Sequence, residues 1–208
     1  MKPLFLCLIV AGLPVFGGQP VSVAPLAVFT SFEQQPPRAV VDAVQMEVKN
    51  IMQRTGLPIE WRSMGGPERS APAVELAVVN FRGRCDLAGF APAQVNSGAL
   101  GWTHVSNGVI LPFSEVDCAK VRGFLQHALV GVPRDLREQA YGRALGRVLA
   151  HELYHVLAGS RHGSDGIAKP AYTVAELMAD EFVFEDREVQ TLRSSKSYEA
   201  LENAGDMH

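Results

Sequence analysis

By length alone, the 208-residue chain is one domain. A hydrophobic fraction of 47% and a charged fraction of 20% suit a folded globular protein and exclude a largely disordered one. The formal net charge is -3, from 19 Lys and Arg against 22 Asp and Glu, so the basic excess that drives nucleic-acid binding is absent.

The apolar residues are concentrated at the start. Lys2 is followed by an apolar run from Pro3 to Phe16, which has the form of the n-region and h-region of a secretory signal peptide. The run is short and broken by Pro14, so it predicts no stable membrane span in the mature form. The expectation is export, to a periplasm or outside the cell, through a signal peptide over residues 1–24. Without Lys2 and Cys7 the mature chain carries 18 basic and 22 acidic residues, net -4, and keeps Cys85 and Cys118. An even cysteine pair in an exported chain is a disulfide candidate. Bridging them closes a 33-residue loop, worth roughly 3 kcal/mol in the chain-entropy picture.

Taken in order, Ala27–Phe32 predicts a first strand. Val40, Val41, Val44, Val48, Ile51 and Met52 recur at helical spacing, with Gly56 placed to end that helix. Pro58–Arg62 predicts a second strand. Val74–Phe81 is apolar enough to be a central one. Two strand-like runs flank Asn107-Gly108, the strongest short-range hairpin signal. Asp117–Leu129 predicts a helix. A longer helix opens near Pro133 and runs to about Ala158, and a last one runs from about Thr173 to Leu192. The result is a mixed α/β or α+β single domain over residues 25–192, followed by a polar tail over 193–208.

His151-Glu-Leu-Tyr-His155 carries the chemistry. Imidazoles at i and i+4 stand one above the other on a helix and can reach one metal ion, while Glu152 lies beside them to take a proton from metal-bound water. With 6 His and 14 Glu in the chain, chance produces this HExxH pattern only about once in a hundred such chains. Leu145, Leu149, Leu153 and Val156 form a packing stripe roughly opposite the two histidines. A zinc site needs a third protein ligand, and two candidates follow. His162 lies just past Gly159, where the helix can end and the chain turn back. Glu176 lies near the start of the last helix, with Asp180 one turn on; Thr173-Val-Ala-Glu176 also has the form of a capping box, which needs no metal.

The stretch His151-Glu-Leu-Tyr-His-Val-Leu-Ala-Gly-Ser-Arg-His162 resembles the metzincin signature HExxHxxGxxH, with Gly159 and His162 each one residue later than in that pattern. Tyr154 stands where the family has a small residue, and Met178 is a possible counterpart of the metzincin methionine turn. Glu176-Leu-Met-Ala-Asp180 is similar instead to the Glu-x-x-x-Asp spacing of thermolysin-like gluzincins. Either resemblance implies a zincin-like single domain: a twisted mixed sheet, a backing helix, an active-site helix and a C-terminal helix. It implies a zinc-dependent metalloendopeptidase, with Zn²⁺ held by His151, His155 and either His162 or Glu176, and Glu152 as general base. The partner expected is a peptide or protein substrate, paired with an edge strand before Asn107-Gly108 near Trp102 and His104. His104, Tyr154 and Tyr172 are candidate hydrogen-bond donors. A monomer is expected, with no nucleic acid bound. The second reading is an exported, non-catalytic metal-binding or interaction module, an inactive peptidase relative on the same fold.

Overall fold

Val40, Val44, Val48, Ile51 and Met52 line one buried stripe of α1 (Arg38–Met52). A short 3₁₀ turn follows, and Gly56 ends it in the left-handed region at φ 78°. The remaining elements are β1 (Leu26–Gln34), β2 (Ile59–Ser63), β3 (Glu75–Arg84), β4 (Gly101–Ser106), β5 (Val109–Asp117), α2 (Cys118–Gly131), α3 (Arg137–Ala158), α4 (Val174–Met178) and α5 (Asp186–Arg193). The structure, a computed structural model, describes residues 26–89, 98–160, 162–163, 165–196 and 198–200. The expected signal peptide at 1–24 lies outside the described residues.

The five strands form one sheet in the order β2-β1-β3-β5-β4, so β3 is central as its apolar content predicted. The pairs β1–β2, β1–β3 and β3–β5 are parallel; β4 runs antiparallel to β5 and forms an edge. Asn107 and Gly108 make the connecting turn with φ of 51° and 81°, the double positive φ of a type I′ turn that matches strand twist. Val28, Ala77, Val79, Phe81 and Val116 face a core completed by α1, α2 and α3. Phe32 stacks on Phe81 with ring centroids 4.6 Å apart. Gly142 and Gly146 let α3 approach α1 closely: a Cβ on either would meet the α1 backbone at Val40 O or Val44 O within 3 Å. No helix among the described residues is long and apolar enough to cross a membrane.

Cys85 and Cys118 are disulfide-bonded, with Cα atoms 4.9 Å apart and both side chains buried. The bridge ties the chain just after β3 to the first residue of α2, and the β4–β5 hairpin lies inside the loop it closes. Replacing both cysteines with serine is expected to lower stability by roughly 3 kcal/mol, read as a reduced midpoint in urea unfolding with a steeper slope, because the unbridged unfolded chain exposes more surface.

The last helix departs from expectation. Instead of one helix from Thr173 to Leu192, α4 and α5 are separate, joined by extended chain, so Asp180 is not one helical turn beyond Glu176. The cause is tertiary. Arg143 donates to Ala179 O at 2.6 Å and Arg147 to Glu176 O at 2.9 Å, satisfying carbonyls that a continued helix would use itself. The Arg147 guanidinium, fully buried and paired with Glu47 at 2.6 Å, covers the ring of Phe182 at 4.9 Å. Phe184 is fully buried. Part of the expected tail is also packed: Ser195 is buried and Tyr198 lies against the core.

Candidate metal centre

α3 is buried over most of its surface from Tyr141 to His155. Gly159 ends it with φ 57°, the left-handed stop that glycine allows without a Cβ penalty. The chain then turns back, and ligand-type nitrogens of His151, His155 and His162 all come within 4.8 Å of one another. His151 and His155 are 7% exposed; His162 is at the surface. The ring centroid of His162 lies 5.2 Å from that of His151 and 4.7 Å from that of His155.

Each buried imidazole is oriented from behind. His151 Nδ1–H donates to Ile167 O at 2.6 Å, and His155 Nδ1–H donates to Ser160 O at 2.7 Å. A nitrogen that donates to a carbonyl carries the ring proton, so both Nε2 atoms present lone pairs. Those two atoms face each other at 3.0 Å. Burial, reinforced by the neighbouring imidazoles of His155 and His162 and opposed by the Ile167 carbonyl, pushes the pKa of His151 down to about 4. His155 is lowered as well, again chiefly by burial. Two neutral lone pairs at 3.0 Å repel unless a cation lies between them. Tetrahedral zinc with nitrogen at 2.0–2.1 Å sets its ligand atoms about 3.3 Å apart, so the donor set fits a zinc ion.

Glu152 is 3% exposed. Its Oε2 accepts from Thr103 Oγ1 at 2.8 Å, while Oε1 lies toward the histidines, 4.0 Å from His151 Nε2. Burial raises its pKa to about 7, against the lowering effect of the Thr103 hydroxyl. A carboxyl poised near neutrality is suited to exchanging protons. Thr103 sits on β4, 49 residues away in the chain, and no local pattern marks it. Thr103→Val should remove the bond that favours the ionised carboxylate. The acid limb of a pH–rate profile for peptide cleavage is expected to move up by about one pH unit; an unmoved limb would show that Thr103 does not tune Glu152.

The structure sends the other sequence candidates elsewhere. Glu176 lies outside the histidine cluster. Its carboxylate accepts from the Thr173 backbone N at 2.7 Å and hydroxyl at 2.8 Å and pairs with Lys169, which completes the capping box. Lys169 first, then Thr173, hold its pKa down to about 2. Along β4, Thr103 faces Glu152, so its neighbours Trp102 and His104 point to the opposite sheet face. There His104 Nε2 meets Glu115 at 3.2 Å, and Arg82 and Lys120 lie over Trp102. Tyr154 is 6% exposed and packs on Phe184. The Tyr172 hydroxyl donates to Ile167 O, the oxygen that also accepts from His151, and lies 3.0 Å from His151 Nδ1. Tyr172 therefore stands behind the His151 ring. Met178 ends α4 and is partly buried against the core.

No protein-family model matches the chain, and no curated protein sequence matches it. Among solved structures it is similar to the crystal structure of archaemetzincin from Methanopyrus kandleri, with a TM-score of 0.51 and 14% identity. The likeness covers 84% of this chain and 96% of that one. It shows a shared fold: the mixed sheet with its backing and site helices is zincin-like.

Proposed function

We propose that this protein is an exported zinc-dependent metallopeptidase that hydrolyses peptide bonds. One observation carries the proposal: two buried neutral imidazoles aim bare Nε2 lone pairs at each other across 3.0 Å, beside a buried carboxyl with its pKa near 7. His151, His155 and His162 would hold the metal. Zinc held there would supply an acidified water and a polarised scissile carbonyl. Glu152 does the proton work. Thr103 anchors Oε2, and Oε1, on the side of the histidines, takes a proton from the attacking water and later returns it to the leaving amine. The strand β4 supports a peptide substrate, because among the described residues it is a sheet edge next to Glu152, to which an extended chain can add. The buried Cys85–Cys118 bridge supports an oxidising compartment and hence export.

The test pairs metal analysis with cleavage of a broad peptide library by the purified mature chain. One zinc per chain and turnover abolished by a chelator are expected. Zinc without any cleavage would favour the non-catalytic metal-binding module, and absence of zinc would overturn both readings.

A further inference from the structure

The carbonyl that orients His151 belongs to a peptide unit whose other end is held by a buried charge. Ile167 O and Ala168 N–H are the two ends of one peptide group. Ile167 O accepts from His151 Nδ1, and Ala168 N–H donates to Glu188 Oε1 at 2.6 Å. Glu188 is on α5, 1% exposed, and its Oε2 accepts from the Glu185 backbone N at 2.9 Å in the capping box that opens the helix. Gly166 makes room for this arrangement: its φ is 71°, and a Cβ there would lie 2.6 Å from both carboxylate oxygens of Glu188.

We infer that Glu188 is a positioning residue for the metal centre, acting on His151 through the Ile167–Ala168 peptide. This rests on the zinc reading proposed above. A carboxylate accepting from one end of a peptide group polarises it and makes the carbonyl at the other end a stronger acceptor. The stronger bond holds the His151 ring and raises the electron density at Nε2. Carboxylates that back a ligating histidine directly do the same in one step; here a peptide unit is interposed. The buried negative charge is also complementary to a cation held by three neutral imidazoles. His155 has a carbonyl behind it as well, from Ser160, and so serves as the internal comparison.

The experiment uses Glu188→Gln, which keeps the size of the side chain and removes its charge. In the metal-free protein the Nδ1–H protons of His151 and His155 are followed by NMR, and zinc affinity is measured by chelator competition with zinc alone. The His151 proton is expected to move upfield while that of His155 stays, and zinc binding is expected to weaken by about 10- to 100-fold. An unmoved His151 proton, or zinc affinity within about threefold of the parent, overturns the inference. Should Glu188→Gln not fold, the parent protein decides: the His151 proton must lie downfield of the His155 proton, and the reverse order overturns the relay. If the parent binds no zinc, the metallopeptidase reading fails, while the proton shifts still decide the relay by themselves.

Discussion

Glu152→Gln is expected to abolish peptide hydrolysis, by roughly 10²- to 10⁴-fold for loss of a general acid–base group, while zinc remains bound. The same substitution should stabilise the metal-free protein at neutral and alkaline pH. Burial raises the folded pKa of Glu152 from 4.5 to about 7, so the folded state keeps a proton that the unfolded chain releases. The stability tied to that proton is fully present below about pH 4.5 and is lost as pH rises through 7, a total of about 3 kcal/mol. His151 has the opposite sign. Its folded pKa falls from 6.5 to about 4, so its contribution is present above pH 6.5 and is lost as pH falls toward 4. Between pH 4.5 and 6.5 these two slopes oppose each other in the parent protein, and His155, whose pKa burial also lowers, adds to the His151 side. Glutamine removes the Glu152 slope. In urea unfolding, the variant should therefore match the parent near pH 4.5 and exceed it by about 3 kcal/mol at pH 8. Equal stability at pH 8 would show that Glu152 is not a desolvated carboxyl, and undiminished cleavage by clean protein would remove its catalytic role.

His162→Ala is expected to lose tight zinc, by more than the 10- to 100-fold typical of residues standing behind a ligand, and to retain the fold. His162 is at the surface after the Gly159 turn, so little packing depends on it. Glu176→Ala should bind zinc as the parent does and lose only its cap, about 1 kcal/mol of stability. The contrast follows from commitments already made. Both Glu176 oxygens are taken, by Thr173 and by Lys169, whereas the ring of His162 stands within 5.2 Å of both partner rings. Zinc stoichiometry and affinity in the two variants give the answer. Full, tight zinc in His162→Ala with loss in Glu176→Ala would transfer the third position to the carboxylate.

Much of the fold could be read locally. The spacing of Val40, Val44, Val48 and Ile51 in steps of four, four and three residues marks α1 because burial of one stripe is a property of neighbours on one helix. Asn107-Gly108 marks the hairpin because those residue types tolerate positive φ. Gly159 marks the end of α3 for the same reason. The division between α4 and α5 had no such mark: Thr173 to Leu192 is compatible with one helix, and the break comes from Arg143 and Arg147 reaching over from α3 to take its carbonyls. Thr103 and Glu188 were equally silent, since each meets its partner across long stretches of chain or through a backbone atom.

Taken alone, the sequence determined the donor types, the helical spacing of His151 and His155, the carboxylate between them, and the cysteine pair. These follow from local geometry and chemical type. Only the tertiary structure decided that β4 is the edge strand at Glu152, that His162 and not Glu176 joins the two imidazoles, and which backbone carbonyls fix their tautomers. Those outcomes depend on desolvation and on contacts between residues distant in the chain. It is burial that raises the pKa of the Glu152 carboxyl to about 7 and lowers those of the two histidines, so that carboxyl and imidazoles of ordinary type depart from their ordinary protonation.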